Sequence, residues 1–394
     1  MLLRSRFLLP LLLLLVFPSF SQAEPSLEKI DLFEGGKDGF ALFRIPGVVV
    51  TTKGTALVYC EARKNSGADW GEIEVHLRRS TDGGKTWEAA RQIAHFGERL
   101  SVAEFKKGAK AEEQTVNNPV AIVDAKTGAV HFLYCLNYAR CFYQRSDDDG
   151  VTFSKPVEIT AAFEAFKSVC PWTVLATGPG HGIQLKKTGR LMVPVWLAYG
   201  TGGAHAPSMA ATIYSDDHGK TWKAGDIAVP NEGEFKNPNE TAAVELSDGR
   251  VMLNTRSVSS PNRRLVTISP DGATGWSVPR FEDALWDPVC MAGLTDIPGK
   301  PGTLLFSNPH SLKFDKDGKE IPASRGSRVN VSIKLSENDG ADWIANRTLE
   351  EGSSAYSDLA VLPDGTVLCF YERDKRLTVA RFNLDWVRAG AKAP

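Results

Sequence analysis

The octapeptide STDGGKTW at residues 80–87 returns as SDDHGKTW at 215–222, keeping Ser-x-Asp-x-Gly-x-Thr-Trp at all five fixed positions. SDDDGVTF (146–153) keeps four of them with Phe153 in place of tryptophan, SENDGADW (336–343) is weaker, and SPDGATGW (269–276) is degenerate. Successive starts lie 66, 69, 54 and 67 residues apart, which is the length of a multi-stranded unit. Each copy follows a strand-like stretch such as ATIYS or VSIKLS. A short polar side chain and a glycine can shape such a turn while the aromatic packs back onto the sheet, so the repeat stabilises and does no chemistry. A small sheet that cannot bury its own faces must pack against its copies, and radial packing gives a β-propeller.

The intervening segments agree. RIPGVVVTT, TALVYCEA, EIEVHLRRS, VHFLYCLN, RLMVPVWLA, RVMLNTRS and TVLCFYER are short apolar runs bounded by Gly, Asp and Pro, with no helical periodicity beyond a turn or two. The expectation is an all-β chain. About 370 residues after the leader at roughly 60 per unit gives a six-bladed β-propeller, one domain over residues 24–394.

Residues 1–23 stand apart. Arg4 and Arg6 precede an apolar run to Phe17, and small residues Ser21 and Ala23 follow. This reads as a secretory signal peptide, its apolar run shorter than a full span, so the expected location is secreted or periplasmic with no stable membrane insertion after cleavage. A net charge of -1 over 394 residues speaks against nucleic-acid binding. Six cysteines in this length are not a disulfide scaffold; Cys60 and Cys369 lie in strand-like runs, where buried thiols and bridges are equally open. The seven histidines are scattered and no Cys-x-x-Cys suggests zinc.

One residue resists a structural reading. Arg44 sits in the apolar run GFALFRIPGVVV, and a buried guanidinium needs partners, so either it snorkels at a strand edge or it meets an anion. The repeats together with Phe43-Arg44-Ile45-Pro46 resemble the sialidases, which carry such boxes and this tetrapeptide on a six-bladed propeller. The likeness runs from about Phe33 to Trp386.

The resemblance implies a set of roles. Three arginines would hold the substrate carboxylate through bidentate forks: Arg44, Arg256 in GRVMLNTR and Arg328 in SRVNVSIKLS. Arg325, Arg263 and Arg264 are rivals read as solvated surface charge. Glu372 in CFYERD would orient the first arginine. Tyr356 in SAYSDLAV would be the nucleophile, since a neutral phenol can approach an anomeric carbon that bears a carboxylate. A phenol needs a base, and Glu240 in NPNETAAVE fits better than Glu245 on the following strand. Asp69, between Gly67 and Gly71, would be the acid/base, with Glu61 and Arg63 upstream and Arg63 near the sugar. His181, Trp172, His205 and Trp286 are read as packing residues. The implied activity is exo-α-sialidase action on sialylated glycans, with retention and without metal or organic cofactor. A trans-sialidase, a hydrolase of a related nonulosonic acid, and a non-catalytic sialic-acid-binding propeller are the alternatives.

Overall fold

Runs such as Leu191–Ala198 and Val130–Leu136 are buried at every position, so both faces of these strands are covered, as in the inner strands of stacked sheets. A computed structural model describes residues 24–94, 113–317, 320–322 and 326–389. The leader at 1–23 and the rival Arg325 lie outside the described residues.

The chain lays down antiparallel meanders one after another. Leu42–Val50, Ala56–Arg63, Ile73–Ser80 and Arg91–Ala94 form the first sheet. Val116–Val123, Val130–Leu136, Arg140–Ser146 and Val157–Glu158 form the second, joined by Gly180–His181, which runs parallel to Val120 and Ala121. Val174–Thr177, Leu191–Ala198, Ser208–Ser215 and Lys223–Val229 make the third, and Thr241–Glu245, Val251–Thr255, Arg263–Ser269 and Arg280–Trp286 the fourth. A seven-stranded sheet follows, built on the 17-residue strand Ala345–Val361. That strand pairs with Val329–Ser336 up to Ser353 and with Val367–Arg373 from Ser354 onward. Leu27–Glu34 comes from the start of the chain and pairs with the last strand, Arg376–Phe382, so the two ends close one sheet. The result is an all-β, propeller-like arrangement.

Among the described residues, helix is confined to the five-residue Leu384–Arg388, capped by Asn383, and a 3-10 stretch at Thr160–Ser168. The latter was not foreseen, because its anchors are only Phe163 and Phe166. Among the described residues no helix is long and apolar enough to cross a membrane.

The repeated turns do more than close hairpins. In the first, the Ser80 hydroxyl donates to Asp82 (2.8 Å) and accepts from Gly84 N (2.8 Å), while Asp82 accepts from both N and Oγ1 of Thr86 (3.0 and 2.6 Å). Ser146/Asp148 and Ser215/Asp217 repeat this network. Even the weak copy keeps it, with the Asn338 side-chain oxygen accepting from Ser336 and from Asp342 N. The box glycines also pack against a neighbouring sheet: Gly219 has φ +81°, and a Cβ there would lie 2.6 Å from His131 and Tyr143 of the second sheet. The boxes therefore set the spacing between sheets as well as the turn.

Candidate active site

The tetrapeptide that posed the first question is a β-bulge. Pairing of Leu42–Val50 with Ala56–Arg63 slips between Arg44 and Gly47, where Pro46 has no N–H to give and Ile45 takes φ +61°. A β-branched residue at positive φ is strained. What holds it is Glu372, whose Oε1 accepts from Ile45 N (3.0 Å) and Arg44 Nε (3.1 Å), and whose Oε2 accepts from Arg44 Nη2 (3.2 Å). Gly47 is required there, since a Cβ would lie 2.1 Å from the Tyr59 ring. Arg44 thus neither snorkels at an edge nor packs as core. Burial opposes its charge, but Glu372, Tyr356 and Asp69 outweigh that and hold its pKa well above the usual value.

Arg44, Asp69, Glu240, Arg256, Arg328 and Tyr356 all line one cavity of about 150 Å³. Tyr356 is its floor. The phenol donates toward Glu240, with Oε1 at 2.7 Å and Oε2 at 2.8 Å, and accepts from Arg256 Nη1 at 2.7 Å. Arg256 also pairs with Glu240 through Nη1. The Arg44 and Arg328 guanidinium carbons stand 4.9 and 5.1 Å from the centre of the Tyr356 ring. Burial pushes the phenol pKa up and Glu240 adds to this, while Arg256, Arg328 and Arg44 pull it down. The net shift is upward, so the tyrosine is protonated, with its proton aimed at a carboxylate.

Asp69 also lines the cavity, its side chain half-exposed. Burial would raise its pKa, but Arg63 Nη1 at 3.0 Å, Arg44 Nη1 at 3.7 Å and nearby His205 outweigh it and hold the carboxyl below the usual range. Arg63 itself is fully buried and does not line the cavity. It donates to Glu61 Oε2 (3.0 and 2.7 Å) and to the Gly67 carbonyl (2.6 Å). Its donors are directed at Glu61, Gly67 and Asp69, so Arg63 seats Asp69 at the edge of the cavity. Glu61 in turn accepts from Asn118 N at 2.9 Å.

Other expectations divide. Glu245 is turned away, accepting from Lys186 N at 2.9 Å, which leaves Glu240 as the carboxylate at the phenol. Arg263 lies over Trp286 near the surface, but Arg264 is completely buried, contrary to a surface reading. His205 lines the cavity, whereas His181 pairs with Asp358 at 2.8 Å and Trp172 packs on the core of the second and third sheets. Tyr138, Trp196, Asn118 and Asn239 also line the cavity and were missed. In the turn LNYAR both Asn137 and Tyr138 take positive φ, which the sequence does not reveal. All six cysteines are buried free thiols. Among the described residues no group of three His, Cys, Asp or Glu could hold a metal ion.

A family model described as a BNR repeat-like domain matches residues 54–369. The chain is 31% identical to a sialidase of Micromonospora viridifaciens over 94% of its own length and 56% of the relative's. It is 32% identical to a sialidase of Bacteroides fragilis, covering 86% of this chain and 61% of that one. The chain thus spans less than two thirds of these relatives. Among solved structures, the Hadza microbial sialidase Hz136 superposes with a TM-score of 0.76 at 28% identity, over 91% of this chain and 69% of that one. The intramolecular trans-sialidase of Ruminococcus gnavus shares the fold at a TM-score of 0.72 and 18% identity, over 91% of this chain and 98% of its own. The repeats and these matches agree: the chain belongs to the BNR repeat-like domain family, and the relatives it resembles along most of its length are sialidases.

Proposed function

We propose that this chain is an exported exo-α-sialidase that removes terminal α-linked sialic acid from glycoconjugates with retention, on a six-bladed propeller. The seven-stranded sheet then counts as two blades that share the strand Ala345–Val361, each half pairing with its own neighbour. The observation that carries the mechanism is the Tyr356 phenol held by both oxygens of Glu240 beneath three arginines. In this reading Arg44, Arg256 and Arg328 take the substrate carboxylate and place the anomeric carbon over Tyr356. The phenol attacks that carbon while its proton passes to Glu240, and Asp69 protonates the departing glycosidic oxygen. Water then cleaves the tyrosyl–sugar bond, with Asp69 taking its proton and Glu240 returning the other to the departing Tyr356 oxygen.

An aspartate that Arg63 and Arg44 hold ionised must gain a proton to act as an acid. Substrate binding supplies the change, because its carboxylate neutralises part of the Arg44 field and the leaving sugar covers the exposed side of Asp69; both push the carboxyl up. A Tyr356→Phe variant tests the nucleophile. It should keep the fold and lose hydrolysis of sialyl-lactose by about 10³-fold or more. Wild-type turnover in that variant would remove Tyr356 from the role.

A further inference from the structure

Two buried residues that do not reach the cavity connect two of its arginines. Asp287 accepts three backbone N–H groups: Ser257 on Oδ2 at 3.1 Å, and Val289 and Cys290 on Oδ1 at 2.9 and 3.1 Å. Ser257 directly follows Arg256. The Val289 carbonyl, in turn, accepts from Arg328 Nη2 at 2.7 Å. One carboxylate therefore fixes the backbone beside Arg256 and the loop whose oxygen seats Arg328.

Arg264 binds the same two segments from below. Its Nη1 lies 3.6 Å from Asp287 Oδ2 and donates to the Cys290 carbonyl at 2.9 Å. Its Nε and Nη2 donate to Asn254 Oδ1 and O at 2.6 and 2.8 Å, on the strand Val251–Thr255 that ends just before Arg256. The loop needs this support, since Val289 is a β-branched residue at φ +62°. Arg256 and Arg328 also repel each other, so their spacing needs fixed supports.

We infer that the Asp287–Arg264 pair is a brace that sets the spacing of Arg256 and Arg328, and through it the fit of the site to a carboxylate. Both are positioning residues. The inference rests on the sialidase reading, in which those arginines meet the substrate carboxylate. A fork that recognises two oxygens at once tolerates errors of only about half an ångström, so a loosened brace costs affinity for the carboxylate in particular.

The test compares inhibition by an α-methyl sialoside and by its analogue with the carboxylate reduced to a primary alcohol. In Asp287→Asn the wild-type preference for the carboxylate form should fall about tenfold, while binding of the alcohol changes less than about twofold. In an Arg328→Ala background the same substitution should cost less than about twofold further, because the arginine it serves is gone. Equal weakening of both ligands, an unchanged preference in a folded variant, or fully additive losses would each overturn the brace. Should Asp287→Asn fail to fold, Arg264→Lys keeps the buried charge and loses the fork to Asn254 and Cys290. It should reduce the carboxylate preference in the same direction, and no reduction there contradicts the inference. A wild-type protein without any preference for the carboxylate ligand would count against the sialidase reading itself.

Discussion

Arg44, Asp69 and Tyr356, which line the cavity, are each backed by a buried carboxylate, directly or through a neighbour. Glu372 holds Arg44 and the bulge at Ile45, Glu61 holds Arg63 and through it Asp69, and Glu240 takes the Tyr356 hydrogen bond. Three guanidinium groups near one phenol would be unstable without these acids, so charge balance and positioning come from the same residues. This arrangement makes a prediction about Asp69. Asp69→Asn should slow hydrolysis of sialyl-lactose by about 10²- to 10⁴-fold, the usual worth of a positioned acid. A sialoside of an acidic phenol needs little protonation to leave and should lose far less in its first, sugar-transfer step. Pre-steady-state kinetics on the two substrates checks this, and equal losses would place Asp69 elsewhere in the mechanism.

At the scale of elements, the boxes were legible in part. Their turn chemistry follows from serine, aspartate, glycine and threonine at fixed offsets, and even the Asn338 copy closes the same way. Their contact with a neighbouring sheet was not legible, because it depends on which sheet lies alongside. Gly219→Ala should therefore destabilise by about 2 kcal/mol or more, through both its positive φ and the clash with His131 and Tyr143. Thermal unfolding would show it, and an unchanged melting temperature would mean that this turn does not bear on its neighbour. The bulge was half legible as well. Pro46 marked the broken ladder, but the strained φ at Ile45 and its tie to Glu372 are products of tertiary structure. Arg264 shows the opposite failure: nothing in its local sequence distinguishes a buried brace from a surface arginine. Arg44, Arg256, Arg328, Tyr356 and Asp69 were identified through motifs; the aromatic wall of Tyr138 and Trp196 was not, since packing and lining look alike in one dimension.

Across the whole molecule, the inner strands meet at a second carboxylate. Asp358, two residues beyond Tyr356, accepts from Val48 N at 2.9 Å and pairs with His181 Nδ1 at 2.8 Å, joining three sheets. Burial works against the His181 charge, but Asp358 outweighs it and raises the pKa. A histidine whose folded pKa stands above its unfolded value of about 6.5 stabilises the fold below that value, and the contribution fades as pH rises through the folded pKa. His181→Gln should therefore lower the melting temperature more at about pH 5.5 than at about pH 9. An equal loss at both would assign His181 to packing alone. The sheets so joined present their strand ends to one small charged cavity, and the direct test of its chemistry is the first product. Incubation with sialyl-lactose, followed by NMR from the earliest time points, should show free sialic acid appearing as the α-anomer before it mutarotates. The β-anomer first, an anhydro-sugar, or ligand bound without turnover would contradict retaining hydrolysis at Tyr356.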